Sequence, residues 1–131
     1  MKKIAVVILN WNGAKLLEQF LPSVVAFSEE ATIYVADNAS TDASIEVIQK
    51  QFPSIKIIQN SGNYGFAKGY NEALQFVEEP YYALVNSDIE VTENWLVPII
   101  ELFENEAETA IIQPKILDYK KKTHFEYAGA A

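Results

Sequence analysis

Short apolar runs alternate along this chain with stretches whose apolar residues recur every three or four positions. The first run, Ile4 to Leu9, is continuous, as expected of a strand covered on both faces. After Asn10-Trp11-Asn12-Gly13 the period changes. Leu16, Leu17, Phe20, Leu21, Val24 and Val25 share one face of a helix, Asn12 is placed to cap it, and Pro22 is expected to kink or break it by removing a backbone donor. The alternation then repeats. Thr32 to Ala36 reads as a second strand ending in Asp37-Asn38-Ala39-Ser40-Thr41-Asp42, a run of turn-forming and capping residues, followed by a helix through Ile45, Ile48 and Phe52. Pro53 and Ser54 separate that helix from a third strand, Ile55 to Ile58. Asn60 to Asn71 holds three of the five glycines and reads as a tight loop feeding a helix with Ala73, Leu74 and Val77. Beyond Glu79-Pro80, the run Tyr81 to Val85 predicts a central strand buried on both faces, stopping at Asn86-Ser87-Asp88. Thr92 is placed to cap a helix bearing Trp95, Leu96, Ile99, Ile100 and Phe103, with Pro98 inside it, and a fifth strand is expected from Ala110 to Ile112, extending toward Leu117.

Strands alternating with amphipathic helices define βαβ units, hence an α/β chain with a mainly parallel sheet. With 131 residues, 50% of them hydrophobic, the chain buries one core, and a single domain spanning 1–131 is expected. The net charge of −8 and pI near 4.6 argue against a basic surface for nucleic acid or anionic lipid, the only basic run being Lys120 to Lys122. Cysteine is absent, which excludes disulfides and thiolate metal sites and fits a reducing, cytoplasmic setting. Met1-Lys2-Lys3 with Ile4 to Leu9 imitates a leader peptide, but Asn10, Trp11 and Asn12 cut the apolar run short. No stretch reaches the roughly 18 apolar residues of a membrane span.

The polar clusters fall after strands one, two, three and four, on the edge where open α/β sheets bind ligands. A dinucleotide-binding oxidoreductase would need G-x-G-x-x-G after the first strand, and that turn has only Gly13. A sugar nucleotidyltransferase would carry a glycine-rich basic loop near its N-terminus, and none is present. Asp88 follows the fourth strand, where a carboxylate could meet a cation and its phosphates; the competing reading is that it bonds turn amides.

Four segments, VVILNWNG, VADNASTDAS, NSGNYGFAKGYNEA and YYALVNSDIEV, in this order and spacing resemble the N-terminal half of family 2 glycosyltransferases of the GT-A fold. The forms NASTD, N-Y-G-F-A-x-G and N-S-D are most similar to bacterial rhamnosyltransferase-type members. The resemblance implies a three-layer α/β/α architecture with a Rossmann-like sheet, a nucleotide-diphospho-sugar donor, a saccharide or lipid-linked hydroxyl acceptor, and inverting transfer assisted by Mg²⁺ or Mn²⁺. It implies that Asp88 is the metal ligand, with Asn86 and Ser87 beside the donor; Asn86 stands where the stricter motif has Asp, which leaves fewer charged ligands. It also implies that Asp37 reads the base or ribose, against the alternative of capping the next helix, the role favoured for Asp42. Leu9, Asn10 and Asn12 stand where the family shows Pro-Thr-Tyr-Asn and contacts the base. Only Asn12 matches, and capping remains its other reading.

In the third segment the implied nucleotide residues are Asn63, Gly65, Lys68 and Asn71. Gly69-Tyr70-Asn71 replaces the family's Ala-Arg-Asn, so Lys68 is either an electrostatic substitute for the Arg or a solvated surface lysine. His124 has no partner pattern and is assigned no role. The family's general base lies well downstream of the metal turn, Glu126 reads as a solvated residue, and the chain is therefore expected to be the donor-binding part of a longer transferase, inactive alone. Apolar surface left exposed in such a piece would favour self-association into a homo-oligomer. The full-length protein is then expected in the cytoplasm, at the inner face of the membrane. A nucleotide-sugar-binding module without turnover is the alternative.

Overall fold

The computed structural model describes residues 2–105, 116–117 and 125–127. The chain divides into two compact units, Met1–Leu96 and Val97–Ala131. In the first, β1 (Ile4–Asn10), β2 (Ala31–Asp37), β3 (Lys56–Gln59) and β4 (Tyr81–Asn86) form one parallel sheet in the order β3-β2-β1-β4. The helices α1 (Ala14–Ala26), α2 (Ser44–Gln51) and α3 (Gly65–Leu74) are the crossovers between those strands. The expected α/β class with a mainly parallel, Rossmann-like sheet is what the chain adopts.

Side-chain alternation sorts β1 and β2 between two layers. Ala5, Val7, Tyr34, Ala36 and Ile58 pack with Tyr70, Ala73 and Val77, so α3 covers β1 and β2 on that side. Ile4, Val6, Ile8 and Val35 point the other way and are fully buried, as are Leu17, Leu21, Val24 and Ile48 on α1 and α2, which pack together. Burying one such aliphatic side chain contributes about 1.5–3 kcal/mol. Pro22 lies inside α1 without ending it. The carbonyl it leaves without a donor is that of Glu18, on the helix's exposed side, where water replaces the lost bond.

Two expectations need correction. Tyr81 to Val85 does form a strand, but among the described residues β4 lies at the sheet edge, with Tyr82 44% and Leu84 52% exposed. They project on the face that α3 covers only over β1 and β2, and an apolar run does not itself disclose whether a strand acquires that cover. The helix expected after Thr92 is α4 (Val97–Asn105), so Thr92 does not cap it, and Pro98 falls in its first turn, where a missing donor costs nothing. Trp95 and Leu96 precede it: Trp95 Nε1 donates to Ser28 Oγ at 3.0 Å and Leu96 is fully buried, which ties the post-β4 loop to the end of α1.

The second unit contains a short antiparallel pair, β5 (Ile116–Leu117) and β6 (Phe125–Tyr127). The expected strand at Ala110 to Ile112 lies outside the described residues, and its proposed extension to Leu117 falls on β5. His124 lies outside them as well.

Near the opposite, amino edge of the main sheet, Glu79 is buried and accepts a 2.8 Å hydrogen bond from the Tyr34 hydroxyl. Burial pushes the Glu79 carboxyl up, but hydrogen bonds from Thr32 and Tyr34 outweigh it and leave it below the usual value. Burial, reinforced by Glu79, pushes the Tyr34 hydroxyl up to about 12. The lowered carboxyl supplies stability above the unfolded glutamate value near 4.3 that disappears as pH falls through the folded value; the raised hydroxyl supplies stability below about 10 that disappears as pH rises toward 12. We therefore expect Glu79→Gln to cost about 1–3 kcal/mol at neutral pH and to flatten the acid limb of the stability curve, measured by urea unfolding from pH 3 to 8. An unchanged acid limb would assign the acid sensitivity to other carboxyls.

Candidate functional site

Parallel pairing carries the strand ends to one edge in step. Asn10 is level with Asp37, Asp37 with Gln59, and Leu9 with Asn86. Asp37 is 2% exposed, and a buried carboxylate is costly unless donors surround it. Three do so: Asn10 Nδ2 at 2.9 Å and Ser40 Oγ at 2.7 Å on Oδ1, and the Ser40 amide at 2.8 Å on Oδ2. Asp37 therefore closes its own turn and grips β1; it does not cap α2. Asn10 Oδ1 is a buried polar atom without a hydrogen-bond partner, and it faces Gly13, where an added Cβ would lie 2.5 Å away.

The first and second loops are latched to each other. Asn12 adopts the left-handed conformation (φ 50°), which Asn tolerates better than most residues, and its Oδ1 accepts the amides of Thr41 at 2.7 Å and Asp42 at 3.2 Å. Its side chain thus holds the neighbouring loop rather than capping α1. Asp42 returns the contact, accepting Ala14 N at 3.1 Å and Ser44 N at 2.9 Å, the first amides of α1 and α2. Burial raises the Asp42 carboxyl, but the Ser44 and Ala14 donors prevail and lower it. The capping expected of Asp42 is present and serves two helices.

The third loop is built differently. Asn38 and Asn60, both buried, bridge it to β2: Asn38 Nδ2 donates to Gly65 O at 3.0 Å, Asn60 Nδ2 to Asn38 Oδ1 at 2.8 Å and to Gly69 O at 3.1 Å. Asn63 Oδ1 accepts the Gly65 amide at 3.2 Å, and Gly65 sits at φ 73°, where a side chain would be strained. Lys68 is exposed and lies over the Tyr64 ring, 4.5 Å from its centroid, while Tyr64 bonds Ser61. It therefore stiffens the loop as well as adding charge. Tyr70, at the position of the family's Arg, turns inward, with its hydroxyl donating to Val85 O at 3.1 Å and accepting Leu9 N at 3.4 Å. Leu9 packs against the core cluster under α3, whereas Asn71 is exposed on that helix.

Asn86 and Asp88 are exposed after β4, with Ser87 half-buried between them. Among the described residues no donor holds the Asp88 carboxylate, so it does not bond turn amides, and no cluster of three metal-ligating side chains occurs. Sequence reasoning missed Asn38, Asn60, Ser40 and Trp11, the last 53% exposed between Asn10 and Asn12. A buried loop asparagine has no sequence signal that separates it from a solvated one.

Fold and site define a Rossmann-like α/β domain whose polar residues converge on the carboxyl edge of a parallel sheet. The model of glycosyl transferase family 2 matches residues 5–129, and the chain belongs to that family. It is 27% identical over 105 residues to an uncharacterized glycosyltransferase of Haemophilus influenzae, covering 77% of this chain and 32% of that protein. The fold superimposes on S. aureus TarS 1-349 in complex with UDP-GlcNAc (TM-score 0.71, 20% identity, 92% of this chain and 42% of that one). It also superimposes on a mannosyltransferase from Pyrobaculum calidifontis in complex with GDP-Man and Mn²⁺ (TM-score 0.63, 19% identity, 72% of this chain and 32% of that one). These likenesses establish a GT-A glycosyltransferase fold, and the chain spans less than half the length of each. No helix among the described residues is long and apolar enough to cross a membrane.

Two outcomes follow from the latched loops. Gly13→Ala should displace Asn10 and cost about 1–3 kcal/mol, although φ there is ordinary. Asn12→Ala and Asp42→Ala should each cost about 0.5–2 kcal/mol, and together less than their sum, because both act on one latch. Chemical denaturation of the single and double variants measures both effects; strict additivity would mean that the loops are held independently.

Proposed function

We propose that this edge binds a nucleotide-diphospho-sugar and presents its sugar for transfer to a saccharide or lipid-linked hydroxyl, with inversion. The observation that carries the reading is the convergence of four polar strand ends around the buried Asn10–Asp37 pair. Asp37 Oδ2 takes one described bond, from Ser40, and keeps accepting capacity for a base imide or a ribose hydroxyl. Trp11 offers an exposed ring beside that pair, on which a base stacks. The loop 61–69 brings backbone amides and Lys68 toward the diphosphate at the start of α3. The donors printed for the two fold neighbours, UDP-GlcNAc and GDP-Man, support this substrate class.

The donor set at the β4 turn fits a hard divalent cation that brings most of its own ligands: one exposed carboxylate, Asp88, two residues after the exposed Asn86. Mg²⁺ or Mn²⁺ held there would offset the negative charge that develops on the departing nucleoside diphosphate. The acceptor oxygen replaces that diphosphate at the anomeric carbon, and its proton goes to a general base. Asp37 and Asp42 are committed to loop donors, so we assign the base to the part of the relatives' length that this chain does not span. The acceptor and the subgroup, rhamnosyltransferase-like in its motifs, are part of the same reading.

UDP, dTDP and GDP titrated with and without Mn²⁺ test it. At least one should bind more tightly with metal, Asp88→Asn should abolish that enhancement, and Asp37→Ala should weaken binding about tenfold, equivalent to about 1.4 kcal/mol. Equal metal enhancement in Asp88→Asn and the parent would remove Asp88 from the metal site. Nucleoside diphosphate release from the matching donor should be negligible with any acceptor for this chain alone; acceptor-dependent turnover in the usual range of about 1–1,000 per second would place the base within it.

A further inference from the structure

We propose that Asn38 is a positioning residue of this site, tying the loop 61–69 and the first turn of α3 to the strand end that carries Asp37, so that a ligand gripped at Asp37 also orders the loop. The inference rests on the donor-site reading and adds the route by which its two halves communicate.

Asn38 follows Asp37 directly, and its amide donates to Asn10 O at 2.9 Å, continuing the β1–β2 pairing by one residue. Asp37 holds Asn10 and Ser40 while Asn38 reaches the third loop, so two consecutive residues serve opposite sides of the strand end. The Asn38 amide group is fully used: Nδ2 donates to Gly65 O at 3.0 Å and, more weakly, to Asn63 Oδ1 at 3.5 Å, while Oδ1 accepts Asn60 Nδ2 at 2.8 Å. Asn60 is itself pinned, its amide donating to Asp37 O at 2.8 Å and its second side-chain hydrogen to Gly69 O at 3.1 Å. The carbonyls of Gly65 and Gly69, at the start of α3 and one turn further on, therefore both hang from this asparagine pair.

The fit is steric as well. A Cβ on Gly69 would lie 2.9 and 3.0 Å from the two polar atoms of the Asn38 side chain and 3.0 Å from Leu9 Cδ1. α3 comes this close to β2 because residue 69 has no side chain. Asn38 is 2% exposed, so losing its bonds would strand several buried polar groups at once. Both polar atoms of its side chain are bonded within the protein and the residue is 2% exposed, which makes its contribution indirect.

The test uses the full chain with UDP, dTDP and GDP as probes, each with Mn²⁺, read by calorimetric titration and amide hydrogen exchange. In the parent, the nucleotide that binds should slow exchange around residues 10–12 and 38–41 and also across 61–69. Asn38→Ala should weaken binding at least tenfold and confine the protection to the first two stretches. Should Asn38→Ala not fold, Asn38→Asp, which keeps the acceptor for Asn60 and loses the donor to Gly65, should show the same loss of protection across 61–69. Glu79→Gln, near the opposite edge, is the control for lost stability and should bind as tightly as the parent. Independently of any ligand, the stability cost of Gly69→Ala should shrink in the Asn38→Ala background, because two of the three atoms that its Cβ meets are gone and only Leu9 Cδ1 remains. Binding by the parent with unchanged affinity and loop protection in the Asn38 variants overturns the inference and leaves the donor site standing. Failure of the parent to bind any of the three nucleotides overturns the donor site and the inference together. Additive costs for Asn38→Ala and Gly69→Ala overturn the steric basis of the proposal.

Discussion

The carboxyl edge of the sheet depends on polar groups being buried only with partners. Asn10 and Asp37 are level on adjacent strands and both are 2% exposed, so neither is tolerable without the other's hydrogen bond. That single requirement fixes the β1–β2 register at the end where the loops diverge, since a one-residue slip would separate the pair and turn every strand side chain to the wrong layer. The two loops then have one arrangement in which Asn12 meets the amides of Thr41 and Asp42, and Asp42 meets the first amides of α1 and α2.

The backbone accepts strain to make this edge. Asn12 and Ala39 lie at φ 50° and 58°, in the left-handed region that costs ordinary residues about 1–2 kcal/mol. Both flank the Asp37 turn, where three donors on one carboxylate offset the cost. The third loop reaches its shape by a different route, with glycine at the left-handed position and at the close approach, where Asn38 fills the space beside Gly69, and with Asn38 and Asn60 bonding the carbonyls of both glycines. The outcome is a rigid floor of amides and carboxylates from which Trp11, Lys68 and Asp88 project with solvent access.

At the other edge Glu79 and Tyr34 form a second buried pair, remote from the carboxyl edge. The same physics acts there without binding: partnered burial holds the α3–β4 connection against β2. The sheet is thus pinned at both ends by polar pairs and filled between them by aliphatic layers, which keeps the strand ends in step when the loops above them are engaged.

The sequence by itself determined the strand and helix order, because hydrophobic periodicity reports which side of each element is buried. It also placed the polar clusters at the strand ends, from which the glycosyltransferase resemblance, Asp37 and Asp88 could be read. It did not disclose that Tyr82 and Leu84 on β4 stand exposed, since they look the same in sequence whether or not a neighbour covers them. Nor could it separate the asparagines. Asn12, Asn38, Asn60 and Asn71 are chemically identical, yet tertiary structure makes the first a latch, the next two buried ties and the last a surface residue. The physical reason is that a side-chain amide has no intrinsic preference for burial. Its role is decided by whether the fold brings a donor and an acceptor within about 3 Å of it, and at this edge those partners come from residues 9 to 30 positions away.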